Sequence, residues 1–229
     1  MHIIKRQTPF RQAFTLIETV VVIAVIAILV TLTAMAMVGL QTPGSRQGAM
    51  LQITQALEEG RMTAIEKSTK IYVGIADATH PDEEKRQCAL LLFREYTADE
   101  IAAMSEPPGP NVYKPLTDWN LLPKGYFVCA DIMDTLLDDP QIKIPVAGLP
   151  GNPESVYAIA FGSLGQVVKP EQASLRPLVV MRAESVAPTG VMKRRADSEG
   201  SAFCIQVNRF TGRVKSYDGL PLSETSDPE

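Results

Sequence analysis

Glu18 stands near the start of FTLIETVVVIAVIAILV, residues 14–30, an almost unbroken apolar run. A carboxylate inside a lipid-spanning helix costs about 2.5–3.5 kcal/mol on insertion scales, so it calls for a partner of opposite charge. Other groups able to do chemistry are few. Asp131, Asp134, Asp138 and Asp139 lie close together and offer the oxygens that Ca²⁺ prefers. Their spacing does not follow an EF-hand, however, and clustered acids usually form a solvated face. Lys193-Arg194-Arg195 is the one compact basic run beyond the first thirteen residues. With Arg182 or Arg209 nearby it could contact phosphates, although Asp197 and Glu199 follow it closely. The two histidines are His2 and His80, and His80 sits in ATHPDEEKRQ, which reads as a solvated polar loop. No HExxH, GxSxG or phosphate-loop pattern occurs, and the GSLG at 162–165 reads as a turn. Neither catalysis nor a cofactor is expected. Cys88, Cys129 and Cys204 match no metal spacing. Outside the cytoplasm one pair of them can bridge, and the spacing does not choose which.

The element that positions Glu18 is a long apolar helix. Between Phe14 and Leu40 the only polar side chains are Thr15, Glu18, Thr19, Thr31 and Thr33. As a helix, residues 19–40 extend about 33 Å, enough for a bilayer core of about 30 Å. A soluble core helix is seldom apolar all round for such a length. A secretory signal peptide would also begin with basic residues, and Ala34-Met35-Ala36 resembles its cleavage site. Its apolar part would be shorter, about 7–15 residues, and would give Glu18 no purpose. A plain membrane anchor is the other alternative. Lys5, Arg6 and Arg11 precede the run, so the positive-inside rule places the large domain outside the cytoplasm. The whole chain has 22 basic and 26 acidic residues, a formal net charge of −4, which disfavours a nucleic-acid-coating protein.

The string Arg11-Gln12-Ala13-Phe14-Thr15-Leu16-Ile17-Glu18, followed by the apolar run, resembles the N-terminal signal of type IV pilins and pseudopilins. The resemblance implies a cytoplasmic leader, residues 1–13, removed by a prepilin peptidase between Ala13 and Phe14, with Ala13 where the family usually has Gly. It also implies N-methylation of Phe14, residence in the inner membrane as a single span, and assembly with other pilin or pseudopilin subunits on an inner-membrane platform. The new α-amine, with a pKa near 7.7–8, is largely cationic at neutral pH. A neighbouring subunit's amine can meet Glu18 away from water, where attraction is strong and an unpaired charge is expensive. Glu18 is thereby read as a register pin between subunits. Tip subunits of this family tend to lack that acid, so this chain is expected to pack beneath others.

After the span (14–41), Pro43-Gly44 should interrupt the helix, which resumes within 42–70. Met50, Ile53, Leu57, Ala64 and Ile65 recur at helical spacing, one apolar stripe for a sheet to cover. Ile71, Val73 and Ile75 alternate as in a strand. Further strands are expected at 89–96, 126–130, 156–161, 178–182, 202–207 and 213–217, the last two joined across 208–212. The fold expected is α+β: a transmembrane helix, then an amphipathic helix on an antiparallel β domain, 71–220, with an irregular insertion at 97–155 and a solvated tail at 221–229. Ala56-Leu57, Arg61 and Ala64-Ile65, Phe161 with Gly165, and Thr211-Gly212-Arg213-Val214 are similar to motifs of GspH/FimT-type minor pilins. Gly60 stands where that group has Ala. Some FimT-like pilins bind DNA, which makes Lys193, Arg194 and Arg195 the alternative binding site, though nucleic acid is not the expected partner.

Overall fold

The computed structural model describes residues 17, 20–26, 44–105, 108–129, 136–138, 141–171, 175–186, 191–194 and 199–220. The chain divides into two compact units, Met1–Gly44 and Ser45–Glu229. In the first, residues 20–26 are helical, and these side chains and that of Ile17 are exposed. Among the described residues no helix is long and apolar enough to cross a membrane. Most of the expected span lies outside the described residues.

The second unit begins with α1, Gly44–Glu66. Ala49, Ile53, Ala56, Leu57 and Ala64 form its buried stripe. Met50 is only half-buried and Ile65 is exposed, so the buried face is narrower than the sequence stripe. Gly60 lies in that stripe because nothing larger fits: a Cβ there would run into the Val73 side chain and lie 3.7 Å from the Phe161 ring.

Strands β1 (Ile71–Ala76), β2 (Ala89–Glu95), β3 (Tyr113–Pro115), β4 (Asn120–Leu121), β6 (Lys143–Pro145), β7 (Ser155–Phe161) and β8 (Val167–Lys169) form one antiparallel sheet. Its main order is β3-β2-β1-β7-β6, with β4 on β2 and β8 on β7. The second sheet has the order β10-β9-β11-β12, with β5 on β9. It comprises β5 (Tyr126–Val128), β9 (Leu178–Val186), β10 (Val191–Arg194), β11 (Phe203–Val207) and β12 (Val214–Asp218). One apolar core joins α1 to the inner faces of both sheets, through Ile71, Val73, Leu90 and Phe161 of the first and Val128, Val180, Phe203 and Ile205 of the second.

The described residues of the stretch expected to be irregular, 97–155, include several short regular elements. It carries the short helix α2 (Ala98–Ala102), strands β3 to β6 and the beginning of β7. Its Tyr113, Ile144, Val146 and Leu149 cover the outer face of the first sheet, packing on Tyr72, Leu91 and Phe93. All six residues of β1 are therefore buried, where alternation alone would leave one face wet.

Candidate functional site

Ala13, Phe14 and Glu18 lie outside the described residues. What is described beside them is Ile17 and the helical residues 20–26, all apolar and all exposed. Covering a Val or Ile side chain yields roughly 1.5–3 kcal/mol. An uncovered stretch of such residues is therefore a surface that lipid or other helices stabilise.

Of the alternative basic run, Lys193 and Arg194 belong to β10 and Arg195 lies outside the described residues. Consecutive strand positions alternate between the two faces of a sheet, so positions 193 and 194 do not share one. Lys193 is also paired in register with Glu184 of β9. Arg182 pairs in register with Tyr126, and Arg209 lies in the turn after β11. Of the acidic set, only Asp138 is described, at the end of the short 3-10 turn Leu136–Asp138. Asp131, Asp134 and Asp139 lie outside the described residues. Among the described residues no group of three or more His, Cys, Asp or Glu is placed to hold a metal ion.

His80 corrects the sequence reading. It is fully buried rather than solvated. Its ring stands edge-on to Trp119 at 5.2 Å, and its Nδ1 accepts a hydrogen bond from the Asp82 amide at 3.1 Å. Nε2 is buried without a polar partner. Beside it the buried Asp77 carboxylate accepts from the Thr79 hydroxyl at 2.9 Å and the Ser155 hydroxyl at 2.5 Å, and pairs with Lys143 at 3.1 Å. Burial alone would raise the Asp77 pKa, but those hydrogen bonds outweigh it and hold the carboxyl below its ordinary value. The group ties the end of β1 to β6 and β7. The Ser155 hydroxyl donates to a carboxylate and no imidazole takes its proton, so this is not a nucleophile–base pair.

The cysteines, whose pairing the sequence left open, are all buried and are not joined by a disulfide. The Cys129 amide donates to the Val179 carbonyl, and Cys204 pairs with Val179 from the other side. Cys129 and Cys204 are thus two strand spacings apart, about 9.6 Å, beyond the roughly 4.4–6.8 Å between disulfide Cα atoms. Burial pushes the Cys88 thiol up to about 11, which makes it a poor nucleophile.

The best-built polar constellation locks α1 to the β11–β12 hairpin. Arg61 Nε donates to the Thr211 carbonyl at 2.9 Å while its Nη1 pairs with Glu58 at 3.0 Å. The other Glu58 oxygen accepts from the Val214 amide at 3.1 Å. Gly165 and Gly212 both hold positive φ, +81° and +63°, and a Cβ on Gly212 would strike the Gly165 carbonyl. At the other end of α1, Arg46 donates to the carbonyls of Ser201 and Ala202 and pairs with Asp218 at 2.9 Å. These residues set the rigidity of the domain; nothing in the arrangement is catalytic. The sequence resemblance marks Arg61, Gly165 and Gly212, whereas no local pattern marks Glu58 or Arg46.

Residues 9–34 match the prokaryotic N-terminal methylation motif. The chain carries the signal of type IV pilins and pseudopilins. The matched range contains Ala13, Phe14 and Glu18. No curated protein matches the chain, and no solved structure does. The methylation motif supports a pilin-like or pseudopilin protein, and with it prepilin-peptidase processing, membrane anchoring before assembly and assembly with other pilins. It points to a structural chain rather than an enzyme.

Proposed function

We propose that the chain is a structural minor pilin or pseudopilin subunit of the GspH/FimT type, serving a type II secretion pseudopilus or a type IV pilus. The observation that carries this reading is the methylation motif at 9–34. It has added support from an α+β domain in which one helix is locked onto two antiparallel sheets. The peptidase cuts between Ala13 and Phe14 and methylates the Phe14 amine. The subunit waits in the inner membrane as a single-pass protein with its β domain on the periplasmic side. Neighbouring helices then replace lipid around residues 14–41, and Glu18 meets the amine of an adjacent subunit. A misregistered subunit leaves that carboxylate unpaired, which breaking a buried ion pair makes costly by about 3–5 kcal/mol.

Replacing Glu18 by Ala removes the pin without removing the apolar helix. Membrane fractionation of Glu18→Ala should show normal insertion and loss of the subunit from sheared filaments. Normal incorporation would rule out the pin. The DNA-binding alternative at Lys193, Arg194 and Arg195 has less support, because Lys193 stands opposite Glu184 and neighbouring strand positions face apart. No observation favours the other alternative, a membrane-anchored periplasmic binding module.

A further inference from the structure

The β11–β12 hairpin presents a face that the filament reading does not use. Lys215 and Tyr217 alternate along β12, Arg213 stands just before it, and the three line a cavity of about 430 Å³ together with Arg209 and Phe210 of the turn. Among the described residues, the side chains of Arg209, Arg213 and Lys215 make no ion pair, although eight salt bridges occupy other cations of this chain. Phe210 is 79% exposed and Tyr217 47% exposed, so two aromatic rings stand uncovered among three unneutralised cations. A second cavity adjoins the first, sharing Arg209 and Phe210, and its remaining lining is mostly apolar: Leu164, Val167 and Val168, with Gln166 and Glu171. Leu164 is 83% exposed at the tip of the neighbouring turn. The two turns are held together by the Val167 amide donating to the Arg209 carbonyl at 2.8 Å and by the contact of Gly212 with Gly165. The surface is therefore pre-formed, which lowers the ordering cost of binding.

We infer that this face docks an acidic, extended peptide segment of a partner protein, its carboxylates on Arg209, Arg213 and Lys215 and an apolar side chain in the adjoining cavity. Lys215 on β12 follows Arg213 by two positions and both line the same cavity; alternate side chains of an extended peptide repeat at about 6.8 Å. A peptide with acids at every second position meets both cations at once. The charge pattern decides between an acidic peptide and a nucleic-acid strand. Glu171 stands at the apolar cavity, where it repels a phosphate at every step but tolerates the uncharged residue of a mixed peptide. The chain's net charge of −4 disfavours a long polyanion further.

The test uses the full-length protein in detergent micelles, with a fluorescent peptide of alternating glutamate and leucine and an oligothymidylate of matching length, read by anisotropy. Saturable binding of the peptide is expected, weakened about tenfold by Arg213→Glu with Lys215→Glu and lost as salt rises. Lys215→Ala alone is expected to weaken it measurably, and decides the matter if the double variant fails to fold by circular dichroism. Absence of saturable peptide binding would overturn the inference. So would affinity unchanged by Lys215→Ala, or tighter binding of the oligonucleotide than of the peptide.

Discussion

Burial is the largest influence on the His80 imidazole and pushes its pKa below the ordinary 6.5; Lys85 acts the same way, while the Asp82 hydrogen bond and the charges of Asp82 and Asp77 oppose them. The folded chain therefore binds fewer protons at this site than the unfolded chain. Above pH 6.5 the site costs no stability, and below it stability falls, by up to about 1.4 kcal/mol per pH unit, until the lowered folded value is reached. Calorimetry should show the melting temperature of the native protein dropping between pH 7 and pH 5. His80→Asn, which keeps an acceptor near Nδ1 but cannot titrate, should be less stable at neutral pH and flatter across that window. The cysteines give a second expectation at this scale. Protein prepared under oxidising conditions and unfolded in denaturant should titrate as three thiols per chain, because the fold joins no two of them in a disulfide. One thiol per chain would mean that two of the three are bridged and would contradict the fold.

At the scale of elements, Gly48 and Gly60 of α1 have opposite roles. A Cβ at Gly60 would run into Val73, whereas one at Gly48 meets only Pro123 at 3.4 Å. Gly60→Ala should destabilise the domain by about 1–3 kcal/mol through overpacking. Gly48→Ala should stabilise it by up to about 1 kcal/mol, because alanine is the better helix former. Thermal unfolding of the two variants reads both signs. This contrast also shows what was legible in the sequence. Ile53, Leu57 and Ala64 announced the helix, and the alternation of Ile71, Val73 and Ile75 announced the strand, since local periodicity reports which residues meet a core. The need for Gly60 arises from a strand that follows it in the chain, and no local pattern carries that. The same limit explains residues 97–155. Their prolines argued for irregular chain, yet Tyr113, Ile144, Val146 and Leu149 form a covering layer from short strands. Strands of two or three residues are too brief for a period-two signal. His80 was misread for a related reason: its polar neighbours suggested solvent, and only the return of Trp119 and the loop at Gly151 encloses it.

At the scale of the whole molecule, the chain joins a segment that is apolar all round to a domain that buries its own core. The domain needs no partner to cover its three apolar clusters, whose members are nearly all under one-tenth exposed. The N-terminal segment does need one, because Ile17 and residues 20–26 are apolar and uncovered. In the proposed reading a bilayer meets that need until assembly, and the helices of adjacent subunits meet it afterwards. Apolar burial alone would leave the subunits free to slide past one another by a turn. In the same reading the Glu18 carboxylate supplies the missing axial specificity once a new α-amine exists to receive it.

The existence of that amine can be read directly. Intact-mass and N-terminal peptide spectrometry of the protein isolated from cells making a prepilin peptidase should give a chain that starts at Phe14, heavier by one methyl group. A chain that retains Met1, or one that begins beyond the apolar segment, would leave Glu18 without its counter-charge and contradict the account.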